Sequence, residues 1–427
     1  MNVLIIGSGG RENALAWAVK RSPKVMKIYI APGNGGTARM GENVSLPVKP
    51  PFGELVQFAK EKKIDLTIVG PEQPLVDGIV DVFRRYQLPV FGPSKSAARL
   101  EGSKAFMKEF LKRNNIPTAR FRVFDDADEA YRYVQQENRP FVVKTDGLAA
   151  GKGVTVAKTV EETLTAIRRV MVQKEFGNAG DRIVVEDLLS GTEVSVFVVT
   201  DGTDWRYIAS AQDHKRVFDN DEGPNTGGMG AFAPAPFVDD KTKKVIQTNI
   251  IQPTIDGMRR EGNPYTGILY FGLMLTSSGP SVIEYNVRWG DPEAEVVLPL
   301  LKTDLTDVAF AVLENRLGSL SFDLYGGYCC GVVLASGGYP ASFRKGYIVN
   351  APDPCRDDVM FFHAGTKVAG QNTVVTDGGR VLCVSALGDT LQDAVDLAYE
   401  YAEKVKFENM HYRKDIGQKG LDYFLKK

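Results

Sequence analysis

The chain is poor in the residues that most often build redox, metal or nucleophilic sites. Its 427 residues include only three histidines and four cysteines. Two of the cysteines, Cys329 and Cys330, are adjacent, which suits neither a disulfide framework nor a CxxC metal clasp. His214, His363 and His411 are too scattered to suggest zinc. Charge of one sign is missing as well. Lysine and arginine number 52 against 53 acidic residues, a formal net charge of -1, so nothing draws the chain nonspecifically to nucleic acid or membrane surfaces. No apolar run approaches the ~20 residues of a membrane helix. No basic leader or signal-type apolar segment opens the chain. The expectation is a soluble cytoplasmic protein, long enough for about three domains.

What is present begins with alternating strands and helices. Val3-Leu4-Ile5-Ile6 is a short continuous apolar run, as buried parallel strands are. Ile28–Ile30, Leu66–Val69 and Pro89–Phe91 read as its partners, with helical patterns between them. An open parallel α/β sheet is the predicted N-terminal unit. Gly7-Ser8-Gly9-Gly10-Arg11-Glu12 leaves the first strand at the sheet edge where ligands bind in such folds. It resembles a dinucleotide fingerprint, but Glu12 stands at the third glycine position and the second strand lacks its acidic residue. An NAD site is therefore disfavoured. The helix start with Arg11 is still a good phosphate cradle. Gly70-Pro71-Glu72 and Gly92-Pro93-Ser94 follow two further strands; plain connectors are the alternative to a ligand crevice.

A helix from about Ser103 to Asn114 bridges to a second region. There Phe141–Lys144 and Val154–Ala157 read as strands flanking Thr145-Asp146-Gly147-Leu148-Ala149-Ala150-Gly151-Lys152-Gly153. The glycine spacing and the lack of a following helix exclude a Walker A loop. A flap whose amides close over phosphates fits, with a structural hairpin as the alternative. A helix over about Val160 to Val172 and strands at Ile183–Asp187 and Glu193–Val199 come next. Gln212–Arg216 and Gly223–Gly230 read as irregular polar loops. Towards the end, Tyr328–Ala335 and Val381–Ala386 read as strands and Asp377-Gly378-Gly379 as a hairpin-type turn. Thr390 is placed to cap a final helix. The last hundred residues look like a separate small unit.

The densest chemistry lies at Glu284-Tyr285-Asn286-Val287-Arg288-Trp289-Gly290-Asp291-Pro292-Glu293. Strand alternation puts Glu284, Asn286 and Arg288 on one face. A carboxylate beside an amide oxygen suits Mg²⁺ already carried by phosphates. A guanidinium one step on suits a carboxylate. A polar strand end with a surface ion pair is the plainer reading.

Together these segments resemble the ATP-grasp carboxylate-amine ligases over essentially the whole chain, and among them the phosphoribosylamine-glycine ligase family. The opening Gly7–Glu12 turn, the Asp146–Gly153 flap and Arg288–Glu293 carry the likeness. Trp289 replaces an expected phenylalanine. The resemblance implies a multidomain α/β and α+β fold: an N-terminal open parallel α/β sheet (residues 1–102), central ATP-grasp domains (103–326, lid about 116–187) and a small C-terminal α+β domain (327–427). It implies ATP-dependent ligation of glycine to 5-phosphoribosylamine through glycyl phosphate, in purine biosynthesis, with Mg²⁺ or Mn²⁺. The expected partners are the small-molecule substrates, with no nucleic acid and no membrane; a monomer would suffice, and a partner enzyme that channels phosphoribosylamine stays open.

The resemblance also assigns residues. Lys104, Lys144, Gly147, Gly151, Lys152 and Gly153 would meet the nucleotide phosphates, and Glu186, Asp187 and Leu188 would form the adenine hinge. Glu193 would reach the ribose, or simply pair with a neighbouring base. Glu284 and Asn286 would hold the metal. Arg288 would clamp the acid, with Asp213, Lys215 and Asp291 at the reaction centre and Gly290, Pro292 and Glu293 beside them. Gly9, Gly10, Arg11, Glu12, Asn34 and Glu72 would receive phosphoribosylamine. His214 is expected to shape a loop, and His363 and His411 to be ordinary structure. The rivals are a ligase of the same kind using bicarbonate or formate, and a nucleotide-binding module without catalysis.

Overall fold

The computed structural model describes residues 1–149, 152–352, 356–370 and 373–426. Gly151 of the flap lies outside the described residues. The N-terminal strands are β1 (Asn2–Gly7), β2 (Lys27–Pro32), β3 (Glu42–Asn43), β4 (Leu66–Val69) and β5 (Val90–Phe91), in the parallel order β3-β2-β1-β4-β5. β1 is central, and Val3 to Ile6 are fully buried, which is why the run is apolar on both faces. Helix α1 (Gly10–Lys20) starts at the strand's C-terminal edge.

A four-stranded antiparallel sheet forms the next layer from β6 (Phe121–Phe124), β7 (Val142–Thr145), β8 (Val154–Val156) and β9 (Ile183–Glu186), in the order β6-β9-β7-β8. It has its own core, in which Phe124, Phe141, Ile167 and Ile183 pack together. The helix predicted to Val172 is α-helical only over Val160–Ile167, then widens to π geometry over Arg168–Val172.

The largest sheet runs through the rest of the chain. β10 (Thr192–Thr200), β11 (Trp205–Asp213), β14 (Gly230–Ala233), β15 (Gly267–Thr276) and β16 (Gly279–Asn286) are joined by β17 (Tyr328–Ser336), β18 (Val359–His363) and β21 (Arg380–Gly388), with β22 (Met410–His411) on β17. The order is β16-β15-β10-β11-β14-β17-β21-β18. The C-terminal strands are thus hydrogen-bonded to the central ones through β14 and β17, and not set apart from them.

Three readings are corrected here. The polar loops after β11 contain a two-stranded hairpin, β12 (Arg216–Phe218) with β13 (Glu222–Asn225). The turn Asp377–Gly379 is no hairpin. It passes the chain from the small ladder of β19 (Thr366–Val368) and β20 (Val374–Thr376) into β21, which pairs with β17 and β18. Thr390 does cap the helix Leu391–Ala402, but another helix, Gln418–Leu425, follows. Local turn chemistry identifies a bend without naming the strand's partner.

Candidate active site

The site lies where the edge of the N-terminal sheet, the end of β16, the loop after β11 and the start of β21 converge. The side expected to meet a nucleotide begins at the helix Lys104–Arg113. Ser103 caps this helix by accepting from the Phe106 N–H at 3.1 Å. Asp146, at the root of the flap, accepts from the Ser103 hydroxyl at 2.8 Å and the Ala105 N–H at 2.7 Å. A carboxylate at the helix N-terminus therefore docks the flap beside Lys104. Gly147 and Gly153 are glycines for want of room: a Cβ on Gly147 would come 2.8 Å from that of Ala179, and one on Gly153 2.6 Å from that of Ala149. Lys152 is exposed.

Lys144, one residue before the end of β7, is almost fully buried, donating to the Ile283 carbonyl at 3.0 Å and pairing with Glu186. The other Glu186 oxygen pairs with Lys108, which also donates to Thr118 Oγ1 at 2.7 Å. Lys108 was not foreseen. It stands four residues after Lys104 on the same helix, a spacing that shares a face and could have revealed it. Burial lowers its pKa to about 8 against the pull of Glu186, and Lys144 adds repulsion. The Asp187 carboxylate is taken by Arg139 at 2.6 Å and Arg120 at 3.3 Å, while the Leu188 side chain is 41% exposed. These two offer a hinge mainly their backbone.

Glu284 faces three lysines. Its oxygens lie 3.9 Å from Lys104 Nζ and 3.8 Å from Lys215 Nζ, and Gly272 opposite it on β15 leaves space that a Cβ would fill at 2.9 Å. Burial would raise its pKa, but Lys215, Lys104, Lys144 and Arg288 outweigh that and hold it at about 2. Lys215 also pairs with Glu193, so the carboxylate expected to reach a ribose has the basic neighbour that was its alternative. Asn286 follows on the same face, while Tyr285 turns the other way to share a 2.7 Å hydrogen bond with Thr254.

Beyond β16 the guanidinium of Arg288 is held from three sides. Nε donates to Glu72 at 3.0 Å, Nη2 to Glu101 at 3.2 Å and Nη1 to the Trp289 carbonyl at 3.1 Å. Glu101, also unforeseen, accepts from the Val287 N–H at 2.7 Å as well. Burial would raise the Glu72 pKa, yet Arg288 and Arg11 bring it down to about 2.

The glycine-rich turn is built around Glu12. The Glu12 side chain lies where a Cβ on Gly7 or Gly70 would be, and it accepts from Gly9 N–H and Arg11 Nε at 2.5 and 2.6 Å. Arg11 N–H points to Asp291 at 3.3 Å and Arg11 Nη1 to the Trp289 carbonyl at 3.2 Å. Two backbone donors expected to cradle phosphate thus face carboxylates of the protein itself. Asn34 is also engaged, donating to the Ser8 and His363 carbonyls at 2.9 and 2.8 Å and accepting from Gly36 and Thr37. Its role here is to fasten the turns together.

The last group is acidic. Glu293 occupies the space opened by Gly290 and accepts from Ser195 Oγ at 3.1 Å, while Ser195 also lies 2.7 Å from the Tyr270 hydroxyl. Asp213 Oδ1 is buried without a hydrogen-bond partner. Burial and then Glu293 push the Asp213 carboxyl well above the usual range, against Lys215 and Arg380. Pro292 packs against Gly228 beside it. Arg380 of β21, 2.9 Å from Asp291 Oδ1, is a third unforeseen member. His214 is buried and held neutral, its pKa near 4 mainly through burial, and its Nδ1 lies 3.2 Å from the Gly230 carbonyl. It shapes the loop as expected.

Known proteins show the same organisation. Three descriptions of the phosphoribosylglycinamide synthetase family match in sequence: the N domain over residues 1–101, the ATP-grasp (A) domain over 102–294 and the C domain over 329–419. The chain is 50% identical over 425 residues to a phosphoribosylamine–glycine ligase of Yersinia pestis, covering 99% of each. It is also 50% identical to a bifunctional purine biosynthetic protein of Schizosaccharomyces pombe, of whose length it spans 54%. A crystal structure of phosphoribosylamine–glycine ligase from Thermotoga maritima superposes with a TM-score of 0.82 at 36% identity, covering 97% of this chain and all of that one. With all three domains matched in order and the acidic and basic side chains gathered at their junction, the chain belongs to the phosphoribosylglycinamide synthetase family of ATP-grasp enzymes.

Proposed function

We propose that the chain ligates glycine to 5-phosphoribosylamine at the expense of ATP, yielding glycinamide ribonucleotide, ADP and phosphate. ATP first phosphorylates the glycine carboxylate, and the ribosyl amine then attacks the acyl phosphate. The observation that carries this reading is the charge order along one strand end: Glu284 among three lysines, then Arg288 between two carboxylates four residues later. A metal nucleotide and a small acid would meet head to head there.

Lys104, Lys144 and the flap residues Gly147, Gly151, Lys152 and Gly153 are assigned to the phosphates. The hinge is Glu186 to Leu188, and Lys108 keeps Glu186 in place. Mg²⁺, with Mn²⁺ as a substitute, fits the donor set. Among the described residues no cluster of three or more metal-type side chains forms, and Glu284 with Asn286 supplies only part of a shell. That suits an ion that takes its remaining oxygens from phosphates and water. Bound there, it would neutralise phosphate charge.

Arg288 is assigned to the acid, using N–H donors that Glu72, Glu101 and Trp289 leave over. The unpartnered Asp213 and nearby Glu293 suit an ammonium group, whose arrival would relieve their mutual repulsion. Gly9, Gly10, Arg11 and Glu72 border the place for phosphoribosylamine. Closure of the lid, residues 116–187, would keep water from the acyl phosphate. Among the described residues no helix is long and apolar enough to cross a membrane.

The test is ADP release with Mg-ATP, glycine and freshly generated phosphoribosylamine, each omitted in turn. Release that needs all three, with one glycinamide ribonucleotide per ADP, is expected. Release restored by bicarbonate or formate in place of glycine would overturn the named acid.

A further inference from the structure

The C-terminal strands carry one charged side chain into the site. Arg380, the first residue of β21, is mostly buried and makes four polar contacts. Nη2 lies 2.9 Å from Asp291 Oδ1. Nη1 donates to the Asp291 carbonyl at 2.6 Å and the Gly227 carbonyl at 2.8 Å, with the Gly228 carbonyl at 3.5 Å. One guanidinium thus ties together the loop after β13 and the turn after β16.

What it holds matters more than that it holds. A Cβ on Gly228 would stand 2.5 Å from Asp213 Oδ1, so fixing the Gly227–Gly228 backbone fixes one wall around that unpartnered oxygen. The other Asp291 oxygen accepts from the Arg11 N–H at 3.3 Å, at the first turn of α1. Arg380 therefore stands between the group suited to an ammonium and the helix end that borders the ribosyl substrate. It is also the cation facing Asp291, Asp213 and Glu295, three acids that would otherwise repel one another at close quarters.

We propose that Arg380 is a positioning residue for the acid and amine substrates, through which the C-terminal domain completes the active site. None of its polar contacts is with a residue assigned above to the phosphates or the metal. Its work is to set the Asp291 carboxylate and the Gly227–Gly228 backbone at the spacing that glycine and phosphoribosylamine require. This rests on the ligase reading above and adds to it a role for the third domain.

The experiment compares wild type with Arg380→Met, Arg380→Lys and Tyr339→Phe, measuring all three KM values and the ratio of glycinamide ribonucleotide to ADP. Tyr339 accepts from the Gly227 N–H at 3.0 Å, so Tyr339→Phe loosens the same loop without removing the charge. For Arg380→Met, loss of charge-assisted bonds predicts KM for glycine and phosphoribosylamine higher by about tenfold to a hundredfold, and fewer products per ADP. KM for ATP should stay within about twofold of wild type. Arg380→Lys, which restores charge but not the fork, should recover part of the loss even if the methionine variant fails to fold. Tyr339→Phe, which leaves Arg380 in place, should raise the same two KM values by a smaller factor. Unchanged glycine and amine KM values with intact coupling in folded Arg380→Met or Arg380→Lys would overturn the proposal. So would an equal rise in all three KM values. A wild-type enzyme that releases no ADP in response to glycine would instead overturn the ligase reading itself.

Discussion

Glu72 and Arg288 meet at 3.0 Å although 216 residues of chain separate them. One begins the helix after β4 and the other follows β16, so their contact joins the N-terminal sheet to the strand that carries Glu284 and Asn286. Glu101, 3.2 Å from Nη2 of the same guanidinium, makes the contact an ion triad.

Replacing Arg288 with Met should strand the buried Glu101 carboxylate and the half-buried Glu72, destabilising the fold by about 3 kcal/mol. Turnover should fall by about a hundredfold or more. Glu72→Gln is milder and has a pH signature. Its carboxyl is lowered from the usual 4.5 to about 2, so the stability it contributes is complete above pH 4.5 and is lost as pH falls towards 2. The contribution is at most roughly 3 kcal/mol. Urea unfolding should show wild type and Glu72→Gln converging as pH drops below 4.5. A gap that stays constant down to pH 3 would reject the pairing as the cause.

Lys108 should show the same sign of pH dependence in a higher range. A lysine lowered from 10.5 to about 8 leaves the unfolded chain holding more protons between those values, so stability should rise across pH 8 to 10.5 on its account. Lys108→Met should remove that rise, seen as a difference between the two proteins' denaturant midpoints over that range. It should also free Glu186 from one partner, disturb Lys144 and raise KM for ATP by about tenfold. An unaltered KM for ATP in a folded variant would confine Lys108 to stability.

Removing metal tests Glu284. Chelation should abolish ADP release, and Mg²⁺ or Mn²⁺ should restore it. Glu284→Gln should lower turnover by roughly a thousandfold at saturating Mg²⁺. Because Lys104, Lys144 and Lys215 would then face one another unbalanced, ATP without metal should bind the variant at least as tightly as wild type. Weaker metal-free binding in calorimetry would count against the assignment.

Gly10→Ala probes the first turn of α1. A Cβ there would collide with the buried Glu295 carboxyl, which packs against the helix start. The expected result is a raised KM for phosphoribosylamine with KM for ATP unchanged. A rise for ATP alone would place the nucleotide at this turn instead.

Whatever repeats along the chain or stands close within it was legible in the order of residues alone. Val3 to Ile6 had to be buried on both faces, Glu284 and Asn286 had to share one, and Ser103 and Thr390 had to start helices. Those follow from alternation, apolar runs and capping, which act over a few residues. Only the tertiary structure decided which distant side chains meet. Glu101, Lys108 and Arg380 look like surface charges in their own segments, yet each is buried against a partner elsewhere in the chain. It also decided that Glu12 fills the glycine turn and that the C-terminal strands extend the central sheet. The physical reason is that a buried charge is defined by its counter-charge, and local pattern does not say where that counter-charge will come from.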